Sequence, residues 1–136
     1  ARLPNPHRQC HALLSNEHAL RAGLAIESDS GVFKPTGYGF LGSGEGMKVI
    51  QKIGGLLGPL NAGEIKKGCR GADVMRLIVG GVPVMHLEVD RERYFWFHHT
   101  HADTIDKLDR YEFNRCVASL AVMTYVAADL PVPIPR

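Results

Sequence analysis

The chain predicts an α/β fold, part of a mostly parallel sheet flanked by helices, and three observations carry that expectation. Apolar runs with strand character alternate with stretches of helical spacing, in the order β (22–28), α (45–57), short α (73–79), β (83–89) and α (109–129). Gly and Pro clusters such as Gly58-Pro59 and Gly80-Gly81 punctuate these segments where an element must stop. With 136 residues, 45% apolar and 22% charged, the chain has the size and composition of one globular domain.

The first 19 residues are rich in His, Arg, Asn and Pro, and Pro4-Asn5-Pro6 opposes helix at the start, leaving room for a short helix over 9–14. AGLAIES, residues 22–28, reads as an apolar strand ending in the acidic turn Ser28-Asp29-Ser30-Gly31. The Gly- and Pro-rich stretch after it is a loop with one short strand near Tyr38–Leu41. Val49, Ile53, Leu56 and Leu60 recur at three or four residues, so 45–57 predicts a helix with Ser43 as its N-cap. Residues 61–72 are polar and read as a flexible connection. Asp73 is placed to cap the short helix that follows, and PVMHLEV (83–89) reads as a strand. The last helix, 109–129, shows one stripe of Phe113, Cys116, Val117, Leu120, Thr124 and Ala127.

A formal charge of +2 with no basic stripe gives nucleic-acid binding no electrostatic basis. No run of eighteen apolar residues is present to span a membrane. The chain begins at Ala1 without a signal-peptide pattern, which points to a processed product or a piece of a longer one. Cys10, Cys69 and Cys116 fit neither a disulfide framework nor a zinc finger. Cys116 falls on the apolar helix stripe as a buried thiol, and a Cys10–Cys69 pairing stays open.

The chemistry concentrates in FHHTHADTID, residues 97–106. If this segment is extended, His98 and His99 point apart while His99 and His101 share a side. Imidazole and carboxylate are zinc ligands, and Asp29 closes a strand where α/β sheets present ligands. One loop histidine with Asp29 gives only two ligands. A solvated His-rich loop, and a plain turn carboxylate at Asp29, account for the same spacing. Asp103 can orient a ligand histidine or serve in a turn ahead of the helix. His7 and His11 sit at i, i+4 but lack the Glu of a helical zinc motif. His86 reads as a core or rim histidine within a strand. No nucleophile elbow or phosphate-binding loop of known pattern is present.

Taken together, ESDSGVF at 27–33, Gly81-Val82-Pro83 and FHHTHADT at 97–104 resemble the carboxyl-terminal part of the M28 zinc exopeptidases. The resemblance runs from about 22 to 130. It divides the chain into a poorly matched amino-terminal segment, 1–21, and the carboxyl-terminal part of a peptidase-like α/β domain, 22–136. It implies a two-zinc hydrolase that takes a peptide substrate and cleaves dipeptides or terminal residues of short peptides. It implies Asp29 as ligand to one zinc and His99, the histidine before Thr100, as ligand to the other. Asp103, Asp73 and His98 would stand behind the ligands or at the site rim. It also implies a secreted or lysosomal setting. The family's general base belongs to an acidic Glu-Glu pair, and this chain has none. No catalytic residue is therefore assigned within it. The expectation is a chain inactive alone, which needs its amino-terminal half or another chain as partner. The competing expectation is a non-catalytic peptidase-like module that binds a partner or a metal.

Overall fold

The computed structural model describes residues 22–136. The short helix near 9–14, the His7/His11 pair and Cys10, with its pairing to Cys69, lie outside the described residues.

Four strands form one mixed sheet in the order β1-β4-β2-β3: β1 is Ala25–Glu27, β2 Pro35–Leu41, β3 Glu64–Lys67 and β4 Val84–Val89. β1 pairs parallel with β4 and β2 parallel with β3, while β2 and β4 in the middle run antiparallel. Two of the three pairings are thus parallel, as expected, and the third makes the sheet mixed. Helices α1 (Gly44–Gly55), α2 (Tyr94–Phe97) and α3 (Arg110–Ala128) complete the fold with three short 3₁₀ turns.

Two strands differ from expectation. β2 begins at Pro35 rather than Tyr38, and its residues are nearly all buried. β3 falls in the segment read as flexible. Its sequence, EIKK, offers one half-buried apolar residue, Ile65, because an edge strand needs to bury little. It is held by parallel pairing of Gly37–Phe40 with Glu64–Lys67.

Both long helices start where their caps place them. Ser43 accepts a hydrogen bond from the Gly46 N–H at 2.9 Å, and Asp109 accepts from the Glu112 N–H at 2.8 Å. Their buried faces are rotated from the expected stripes. In α1 and just after it, Ile50, Ile53 and Leu57 enter the core, and Leu56 faces solvent. In α3 the buried residues are Cys116, Ser119 and Met123, whereas Phe113, Val117 and Thr124 are exposed. The polar Ser119 turns inward because the fully buried Tyr38 hydroxyl needs a partner, and the two lie 2.8 Å apart. Cys116 is buried as expected, and its thiol donates to the Phe33 carbonyl at 3.0 Å.

Alternation along β4 divides the sheet faces. Met85, Leu87 and Val89 join Tyr38, Phe40, Ile50 and Met123 in the core. His86 and Glu88 point to the other face, beneath the segment around Arg70. Gly39 sits opposite His86, and a Cβ there would come within 2.2 Å of the imidazole and 2.6 Å of the Gly68 carbonyl. Only glycine fits that close approach.

Candidate functional site

The parallel pairing of β1 with β4 sends both chain exits toward the same end of the sheet. Asp29 lies two residues beyond β1, and α2 with the His-rich loop follows β4. They meet at a pocket of about 250 Å³ lined by Asp29, Phe33, Tyr94, Phe97, His98 and Asp103, among others. Three of the five residues singled out from sequence, Asp29, His98 and Asp103, therefore share one pocket. Phe33, Tyr94 and Phe97 form its apolar wall, with the Phe33 and Phe97 rings stacked at 6.4 Å.

The turn carrying Asp29 is shaped by Gly31, whose φ of +79° lies in the left-handed region. A Cβ there would also meet the Phe33 ring at 2.8 Å. Glycine thus lets the chain reverse so that Asp29 and Phe33 line the same pocket.

The His-rich loop is not extended. Thr100 folds it back, donating from Oγ1 to the Phe97 carbonyl at 2.8 Å while accepting from the Ala102 N–H at 3.1 Å. His99 adopts a left-handed φ of +57°, so His98 and His99 do not face apart. Their rings meet edge to face at 4.0 Å. His98 also stacks on Tyr94 at 4.4 Å, with the Tyr94 hydroxyl 3.3 Å from His98 Nε2. His99 and His101 are exposed, and His99 stands beside the pocket against His98 rather than in its lining.

Asp73 is not a helix cap. The turn it precedes is a 3₁₀ segment, Met75–Gly80, with no side-chain cap. Instead Glu27, at the end of β1, reaches across. Its Oε2 accepts from the Asp73 N–H at 3.1 Å and the Val74 N–H at 3.2 Å. The carboxylate at this turn is that of Glu27, and it takes the N–H groups of Asp73 and Val74 themselves. The Asp73 side chain is exposed and outside the pocket lining. Ahead of α3, Thr104 does not cap a backbone donor either; its hydroxyl donates to Asp106 at 2.5 Å. Lys107, first, and Thr104 hold the exposed Asp106 carboxyl down at about 2.

A second polar group sits under the far face of the sheet. His86 is buried and its Nδ1 accepts from the Arg70 N–H at 3.2 Å, which turns Nε2 toward Glu88. That nitrogen lies 3.0 Å from Glu88 Oε1 but out of hydrogen-bond alignment. The Arg70 guanidinium pairs with the same oxygen at 2.5 Å. Burial pushes the Glu88 carboxyl up, yet Arg70 and His86 together outweigh it and hold the carboxyl below its usual range. His86 is the core histidine expected from its strand. The pairing of Glu88 with Arg70 was not foreseen, because the two residues are far apart in sequence and lie on different elements.

Imidazole and carboxylate around the pocket are donors of the kind zinc takes. Their number supplies only part of a shell. Among the described residues, no three His, Cys, Asp or Glu side chains converge closely enough to hold a metal ion.

The sheet and the elements around it have the fold of the M28 peptidase class. The chain matches the crystal structure of a Peptidase M28 precursor from Shewanella amazonensis SB2B with a TM-score of 0.80 and 28% identity, over 88% of this chain and 28% of that one. The chain belongs to the M28 peptidase family. Within that family it is similar to carboxypeptidase Q. It is 39% identical to the Homo sapiens and Rattus norvegicus proteins and 36% identical to the Xenopus laevis protein, over 113 residues in each case. Those residues are 83% of this chain and 24% of each relative, so the chain spans about a quarter of the length of the curated relatives it matches. No family model matches it.

Proposed function

We propose that this chain is the carboxyl-terminal part of a two-zinc exopeptidase hydrolysing dipeptides or terminal residues of short peptides, and that it is inactive by itself. The observation that supports this most is the meeting of Asp29 with the His98–Asp103 loop at one pocket, at the carboxyl ends of paired strands. In this reading Asp29 holds one zinc and His99 the other. Asp103 orients a ligand, and His98 and Asp73 stand at the rim. Bound zinc supplies an activated water and a polarised scissile carbonyl. The chain's own share is to present a carboxylate and an imidazole and to offer the Phe33–Tyr94–Phe97 wall for a peptide side chain. The general base and the remaining ligands come from the amino-terminal half or from another chain. A secreted or lysosomal setting follows from the same reading; no helix among the described residues is long and apolar enough to cross a membrane.

The test uses the longer protein that carries this segment. Asp29→Ala and His99→Ala should each lower kcat/KM on dipeptides by more than the roughly 10–100-fold that losing an orienting partner costs, with bound zinc falling in parallel. Undiminished activity in both variants would overturn the reading. The absence of a Glu-Glu pair and of a three-ligand cluster among the described residues favours a second reading, a peptidase-like module that binds a partner or a metal without hydrolysis. That module would show no peptidase activity at any zinc loading.

A further inference from the structure

We infer that Tyr94 is a positioning residue that sets the orientation of the His99 imidazole through His98. The inference rests, for its consequence on zinc, on His99 being a ligand as proposed above.

A left-handed backbone is unfavourable for a residue with a Cβ and persists where the surroundings enforce it. His99 has such a backbone, with a φ of +57°. No hydrogen bond to its ring is present among the described residues. What touches the ring is His98, edge to face at 4.0 Å. His98 in turn lies against Tyr94, nearly coplanar at 24° and 4.4 Å, with the Tyr94 hydroxyl 3.3 Å from Nε2.

Tyr94 is itself held. The Arg91 guanidinium lies over its ring at 5.1 Å and near Phe95 at 6.0 Å. Arg91 Nε is buried with no hydrogen-bond partner among the described residues, so the aromatic faces are its favourable contacts. The Phe95 ring packs edge-on against Tyr94 at 5.0 Å. A continuous line of ring contacts therefore runs from the exit of β4 to His99.

This line divides the work between adjacent histidines. His98 has its face on Tyr94 and Nε2 on the hydroxyl, so it acts as a spacer. His99 keeps its ring nitrogens available. Orienting partners of ligand histidines usually act by hydrogen bond to the second ring nitrogen; here the constraint is ring packing one residue removed.

The experiment compares Tyr94→Leu and Tyr94→Phe in the longer protein that carries this segment, with selectively labelled His, Tyr and Ile, by nuclear magnetic resonance without metal and then by zinc titration. Tyr94→Leu should move the His98 and His99 ring resonances and the His99 Cα shift, while core signals such as Tyr38 and Ile50 stay in place. It should weaken zinc binding by about tenfold, the low end for loss of an orienting partner. Tyr94→Phe keeps the stack and should retain most of both. Unmoved His99 resonances in Tyr94→Leu, with the core intact, would overturn the inference, and so would collapse of the core signals in both variants. Equal zinc affinity in His99→Ala and the unaltered chain would instead overturn His99 as ligand, while the shifted His99 signals would still support the positioning role.

Discussion

The buried pair Tyr38–Ser119 shows how one residue decides the face of a helix. Position 119 lies off the apolar stripe that spacing picks out in α3, so sequence reasoning left Ser119 outside. Yet it is fully buried, because a phenol in the core needs an acceptor or donor within reach. Burial first of all pushes the Tyr38 phenol up to about 12, against a smaller lowering by Ser119, and burial likewise pushes the Cys116 thiol up to about 11. Both groups are therefore held neutral in the folded chain more firmly than in the unfolded one. Their contribution to stability is complete below about pH 9 and is lost as pH rises toward 12, where the unfolded chain ionises first. Urea denaturation across pH 8–12 should show this decline, and Tyr38→Phe should flatten its upper part. At neutral pH, Ser119→Ala should cost about 1–3 kcal/mol by leaving the hydroxyl unpaired, and the Tyr38→Phe/Ser119→Ala pair together should cost less than Ser119→Ala alone. An additive double variant would mean that the hydrogen bond contributes nothing.

At the scale of elements, legibility followed how much of each element's stability is local. Ser43 and Asp109 cap their helices through backbone groups three residues away, and both were readable as starts. β1 and β4 carry apolar runs, and their parallel pairing at one end of the sheet was inferable from alternation. β3 was not, since EIKK contributes one half-buried residue and takes its place only because β2 offers an edge. The Asp73 cap failed because the segment after it is a 3₁₀ turn without a side-chain cap, and the turn is held through its backbone by Glu27, far away in sequence. The site was legible in part. Asp29, His98 and Asp103 share a pocket, but the aromatic wall and the turn that brings His98 against His99 depend on packing that spacing cannot show. Gly39 makes the dependence on close approach measurable. A methyl there would collide with the His86 ring at 2.2 Å and with the Gly68 carbonyl at 2.6 Å. The ring could swing aside only by losing the Arg70 N–H and its place beside Glu88. Gly39→Ala should therefore destabilise by about 1–3 kcal/mol or more, as overpacking does, measured by thermal or urea denaturation. A neutral outcome would show that the β2–β4 approach is looser than described.

For the molecule as a whole, the question is how one segment behaves when its matched residues make up about a quarter of its relatives' length. One sheet face is covered by α1 and α3, and among the described residues β1 and β3 are the sheet edges. Beside β1 lies an apolar hollow of about 430 Å³ lined by Leu24, Ile26, Ala127 and Ile134, among others. Large apolar side chains stand in solvent, with Val79 90%, Ile105 86% and Phe95 72% exposed. Isolated exposed apolar residues are ordinary, but open edges together with a hollow beside one of them favour association. Zinc affinity follows the same logic, because each ligand that is missing from a shell must be replaced by water. If the chain is the segment proposed, purified alone it should self-associate at micromolar concentration in sedimentation experiments and carry less than one zinc per chain by elemental analysis. The longer protein should be monodisperse and carry two zinc ions. A monodisperse 136-residue chain holding a full zinc through chelator dialysis would require a complete shell within this segment, and the proposed division of ligands between two halves would fall.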